Sequence, residues 1–178
     1  MRNKRKAKEL DDKATALLED HGLLEAPVDV EALARHLGAD VVYENLEDDV
    51  SGFLLRDQGV STIAINQHHP TVRQRFTLGH ECGHLFLHAN RGDRLWLDRE
   101  RIFFRDSSSS SGDQYEEIEA NQFAACVLMP ETLVRAATMS VGELDDSDIP
   151  RLAQKFEVSE RAMMFRLISV GLIETVAA

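Results

Sequence analysis

Apolar positions recur at helical spacing near the start of the chain. Ala7, Leu10, Ala14, Leu17 and Leu18 share one face of residues 5–19, and His21 and Gly22 close the segment like a helix C-terminus. Pro27 then precedes Val28, Val30, Leu33, Ala34 and Leu37, a second short helix that stops at Gly38. The β-branched run Asp40-Val41-Val42-Tyr43 predicts a strand. Two further runs, residues 52–55 and 60–65, flank Arg56-Asp57-Gln58-Gly59, whose turn-forming residues predict a β-hairpin. In the second run Ile63 and Ile65 alternate with Ala64 and Asn66, so one face is expected to be buried and the other exposed.

Residues 72–89 predict one long helix carrying Phe76, Leu78, Leu85, Phe86 and Leu87, with Asn90-Arg91-Gly92 as its stop. The pattern then breaks. Residues 91–114 include the serine run 107–111 followed by Gly112, which predicts a surface loop preceded by a strand at 101–104. Residues 115–129 resume as a helix rich in Ala, Phe, Val and Leu, ended by Pro130, and the remainder is helical, with 149–156 and 159–170 joined by a tight connection. The expected fold class is α+β: a small mixed or antiparallel sheet packed on the helix of residues 72–89, and a mostly helical C-terminal half. A chain of 178 residues can bury such a core as one domain, with residues 1–24 as an N-terminal helix, 25–146 as the core and 147–178 as a helical pair packed on it.

Charge narrows the function classes. The net charge of −11 argues against general affinity for nucleic acid, because Lys and Arg must neutralise phosphates. The five basic residues within positions 2–8 fit a solvated first turn. No leader-like apolar stretch follows them and no run is long enough to span a bilayer, so a cytoplasmic protein without membrane contact is expected. Cys82 and Cys126 fit buried, reduced thiols.

The chemistry is carried by His80-Glu81-Cys82-Gly83-His84, an H-E-x-x-H pattern inside a predicted helix. Histidines four apart lie on one face about 6 Å along the axis, so both imidazoles can reach one tetrahedral zinc ion. Glu81, one step around the helix, can reach a water on the open side of the metal. Zinc needs a third protein ligand. His88 lies about 12 Å beyond His80 on the same helix, too far to share the ion. The helix of residues 115–129 offers Glu116, Glu117 and Glu119; of these, Glu117 shares a face with Asn121, which could support a ligating imidazole through its other nitrogen. Glu116 and Glu119 are expected to be solvent-exposed at the helix start.

The run Arg75-Phe76-Thr77-Leu78-Gly79-His80-Glu81-Cys82-Gly83-His84-Leu85-Phe86-Leu87-His88, followed by Glu117-Ile118-Glu119-Ala120-Asn121-Gln122-Phe123-Ala124-Ala125 and Leu128-Met129-Pro130, resembles the ImmA/IrrE family of bacterial regulatory metallopeptidases. The tail from Leu152 to Ser159 is similar to that family's C-terminal region. The resemblance implies a zincin-like core, a catalytic Zn2+ held by His80, His84 and Glu117, Glu81 as general base, and a protein substrate that is often a helix-turn-helix repressor. It also implies hydrolysis of a peptide bond by a zinc-activated water. Tyr43, His68, His69 and Tyr115 are available to stabilise an oxyanion, with nothing in the sequence to choose among them. The strand of residues 60–66 leads towards the metal helix, and its edge is expected to take the substrate backbone as an added strand. The rival expectation is a DNA-binding or protein-interaction regulator using the C-terminal helical pair as a helix-turn-helix. Residues 148–178, with four acidic and four basic side chains, offer that reading no net positive face.

Overall fold

The structure, a computed structural model, describes residues 2–88, 94–99, 111–139, 144 and 147–174. Its elements run α1 (Arg2–Asp20), α2 (Val30–His36), β1 (Ala39–Glu44), β2 (Val50–Asp57), β3 (Val60–Asn66), α3 (Thr71–Leu87), β4 (Arg94–Arg99), α4 (Ser111–Leu128), α5 (Glu131–Thr138), α6 (Asp148–Phe156) and α7 (Glu160–Ser169). The fold is α+β, and its contacts divide the chain into two compact units, residues 29–124 and residues 1–28 with 125–178. No helix among the described residues is long and apolar enough to cross a membrane.

The unit of residues 29–124 is built on a four-stranded mixed sheet in the order β1-β3-β2-β4. β1 runs parallel to β3, while β3–β2 and β2–β4 are antiparallel. Gln58 and Gly59 both have positive φ, 47° and 84°, the geometry of a two-residue hairpin turn between β2 and β3. α2 starts where the Asp29 carboxylate accepts the Ala32 N–H at 2.8 Å. α3 lies against β2, and Gly52 permits the approach: a β-carbon there would stand 2.7 Å from Thr77 Cγ2 and 2.6 Å from the Ala64 carbonyl oxygen. The Arg73 guanidinium adds a hydrogen bond to Ser51 Oγ at 2.8 Å.

Four expectations are corrected here. The strand of residues 60–66 has no free edge, because β3 is paired with β1 on one side and β2 on the other. Neither of its faces is open along the C-terminal half: Ala64 and Asn66 are as buried as Ile63 and Ile65. The near-continuous run Ser61 to Ile65 fits a strand covered on both faces better than a half-exposed one. The region after α3 is not simply irregular, since Arg94–Arg99 pairs with β2 as an edge strand; the strand expected at 101–104 lies outside the described residues. Finally, α4 begins at Ser111, so the last serine of the run and Gly112 are helical.

In the other unit, α1 buries Leu10, Ala14 and Leu18 of the predicted stripe, while Leu17 is partly exposed and Ala7 exposed. Asp11, on the same helix, is buried and ion-paired with Arg166 of α7, which also donates to the Met129 carbonyl at 2.7 Å. α6 and α7 are joined through Glu157, whose φ is +52°, and Ser159 caps α7 by accepting the Ala162 N–H at 3.1 Å.

Candidate metal centre

α3 is buried through its middle, from Thr77 to Leu85, so its polar residues there sit away from bulk solvent. His80 and His84 are each 1% exposed and Glu81 is fully buried. α4 crosses α3 closely enough that a β-carbon at Gly83 would lie 2.9 Å from Ala120 Cα. Phe86 stacks on Phe123 beside this crossing, with ring centroids 5.4 Å apart. Glu117 stands about one turn before Ala120 along α4 and Asn121 directly after it, and the crossing brings both to the two histidines.

The three candidate ligand residues converge. His80 Nε2 and His84 Nε2 face each other at 3.0 Å, and the Glu117 carboxylate places Oε2 3.3 Å from the first and Oε1 3.2 Å from the second. Donors about 2.0–2.1 Å from a tetrahedral zinc stand about 3.3 Å apart, so these separations fit one ion held by the two nitrogens and the carboxylate. Among the described residues, His80, His84 and Glu117 form the one group of His, Cys, Asp or Glu with this metal-holding geometry. His80 Nδ1 lies 3.1 Å from Asn121 Oδ1. An amide oxygen only accepts, so Nδ1 carries the proton and the Nε2 lone pair is left facing the site.

Electrostatics favours the same states. Burial lowers the His84 pKa, keeping the imidazole neutral. Burial works to raise the Glu117 carboxyl, but hydrogen bonding to His80 and His84 outweighs it and holds the group down at about 2. Neutral imidazole and ionised carboxylate are the forms a divalent cation binds. The Cys82 thiol is pushed up by burial, which keeps it protonated and out of the donor set.

His88, the C-cap residue of α3, stays outside the group, its ring centroid 5.6 Å from that of His84. Glu119 is partly exposed, but Glu116 is only 3% exposed, contrary to the expectation of a solvated side chain. α4 turns that position inward, which three acids in four residues do not disclose. The Tyr43 hydroxyl donates to Glu31 at 2.5 Å, His68 Nε2 meets Asn45 Oδ1 at 2.9 Å and His69 Nε2 meets the Asp48 carbonyl at 3.2 Å. Three of the four oxyanion candidates are thus engaged elsewhere. Tyr115 is exposed, two residues before Glu117. Sequence reasoning passed over Gly83, although a glycine inside a helix is itself a sign of close approach. It also passed over Asn66, whose buried amide donates to the carbonyls of Glu47 at 3.1 Å and Val50 at 2.9 Å and anchors the loop after β1.

A protein of Bacillus phage phi105 described as an uncharacterized immunity region protein 2 is 32% identical over 114 residues, covering 64% of this chain and 66% of the phage protein. The similarity thus spans just under two thirds of that relative's length. Residues 34–167, which include the whole histidine and glutamate cluster, match the peptidase M78 family, described as an IrrE N-terminal-like domain. The chain belongs to the peptidase M78 family, the ImmA/IrrE-type metallopeptidases that its two helical motifs resemble.

Proposed function

We propose that this protein is a zinc-dependent endopeptidase in which His80, His84 and Glu117 hold the metal and Glu81 is the general base. The observation that carries the reading is the convergence of two imidazole nitrogens and one carboxylate, with contacts of 3.0–3.3 Å, on a buried site whose first histidine has its tautomer set by Asn121. Two imidazoles and one carboxylate are the donor set of a catalytic zinc, which when bound acts as a Lewis acid and makes water a nucleophile near neutral pH. Glu81 takes the proton of the attacking water and delivers it to the departing amine.

The substrate we propose is a helix-turn-helix repressor. Support comes from the family and from the phage relative, whose name places it in an immunity region. The DNA-binding alternative is weakened by α7 itself: Arg166, one of the four basic residues from 148 onward, is committed to the buried pair with Asp11, and Met163 and Leu167 are fully buried.

The test pairs elemental analysis with cleavage. Purified protein should contain one zinc per chain and cut a co-expressed repressor, and Glu81→Gln should keep the zinc and lose cleavage. Full activity in a clean Glu81→Gln preparation would overturn the assignment of the base.

A further inference from the structure

We propose that the outer edge of β1, with the acidic loop that follows it, is a docking strip for an extended basic peptide segment, which joins the sheet as an added strand. β1 ends the strand order and, among the described residues, pairs with β3 alone, so one row of its backbone N–H and C=O groups faces outward. Edge strands are usually blunted by a proline, a bulge or charged side chains, lysine above all. β1 has no proline, lysine or bulge, and its two charges, Asp40 and Glu44, are both acidic and so discourage acidic strands while favouring basic ones; Ala39-Asp40-Val41-Val42-Tyr43-Glu44 runs in unbroken register from Ala39↔Ser61 to Glu44↔Asn66. Asp40, Val42, Tyr43 and Glu44 are all exposed.

Charge selects the occupant. Between Ala39 and Leu55 stand Asp40, Glu44, Glu47, Asp48 and Asp49, with no Lys or Arg. The loop carrying the last three is held in place by Asn66. Asp40, Val42 and Glu44 share one face of the strand and Val41 and Tyr43 the other. A second copy of the chain fits poorly, because antiparallel self-pairing centred on Val42 would set Asp40 against Glu44 of the other copy. A partner strand with a cation, an apolar residue and a cation at alternate positions meets Glu44, Val42 and Asp40 in turn, and further cations towards its N-terminus run along the acidic loop. Backbone hydrogen bonds supply affinity and the alternate side chains specificity. This surface is separate from the metal-binding residues, so its test does not depend on the proposed hydrolysis.

The probe is the fluorescein-labelled peptide Lys-Lys-Thr-Val-Thr-Lys, titrated into the full-length protein and followed by anisotropy. Saturable binding is expected, weakened about tenfold or more by N-methylation of the backbone amides that face β1, and about tenfold by Asp40→Lys with Glu44→Lys. That double variant alters exposed side chains only, its fold is checked by circular dichroism, and it should instead prefer Glu-Glu-Thr-Val-Thr-Glu. No binding of the unmethylated peptide would overturn the proposal. Equal binding of the N-methylated peptide would also overturn it, as attraction without strand addition, and so would indifference to the charge reversal.

Discussion

Gly83 and Ala120 touch where α3 crosses α4: a β-carbon built on Gly83 would stand 2.9 Å from Ala120 Cα and 3.1 Å from its carbonyl oxygen. The neighbouring atoms are backbone, so they cannot rotate aside. Gly83→Ala would therefore push the helices apart, although alanine is the better helix former by about 1 kcal/mol. Overpacking of this kind costs about 1–3 kcal/mol, so the two effects oppose and stability alone changes modestly. The proposed metal centre is more sensitive, because its candidate donors come from both helices and a shift of a few tenths of an ångström separates them. We expect zinc affinity to fall about tenfold or more with a small change in melting temperature. Unchanged affinity in a chelator competition would show that the crossing does not set the donor spacing.

Glu117 and Asn121 act on the histidines in different ways, and substitution separates them. Glu117→Ala removes a proposed donor and should abolish stoichiometric zinc, while Glu119→Ala, altering a partly exposed side chain, should leave metal content unchanged. Asn121→Ala should retain zinc but bind it about 10–100-fold more weakly, the usual cost of losing the partner that orients a ligating imidazole. Asn121→Asp, which still accepts the His80 Nδ1 proton, should restore binding. Titration with a zinc indicator checks all four variants, and equal affinity of Asn121→Ala and the natural protein would remove Asn121 from the site.

What the chain discloses about this site follows from the range of the interactions. His80 and His84 are four apart in one helix, and Glu117 and Asn121 four apart in another; both relations are local, so their shared faces are legible from spacing. That the two helices meet at Gly83 is not local, and it alone decides which of the three acids at positions 116, 117 and 119 turns towards the histidines. The sheet shows the same division. The β2–β3 hairpin is legible because Asp57-Gln58-Gly59 encodes its turn. The interior position of β3 is not, because it depends on β1 returning beside it in parallel, a pairing that no turn between the two strands specifies. Arg94–Arg99 was passed over for a related reason: a six-residue edge strand is defined by its pairing with β2, more than by its own composition.

Tyr43 gives the fold a dependence on alkaline pH. Burial raises its pKa first, and the hydrogen bond and charge of Glu31 add to this, against an opposing effect of Arg75, leaving the phenol pushed up to about 12. An unfolded tyrosine releases its proton near about 10. Below about 10 both states hold the proton and the stabilisation from this contact is complete. Between about 10 and 12 the unfolded chain loses its proton before the folded one, so the unfolded state binds fewer protons and stability falls as pH rises. The contribution is gone once pH passes the folded value. Because Tyr43 is 43% exposed, solvent screens the effect, and the comparison with Tyr43→Phe matters more than its absolute size. Urea unfolding at pH 9 and pH 11.5 should show the natural protein losing more stability than Tyr43→Phe over that interval. Any change due to Tyr115 or to the lysines is common to both proteins and cancels. Parallel losses in the two proteins would mean that the Tyr43 to Glu31 hydrogen bond makes no difference to folding.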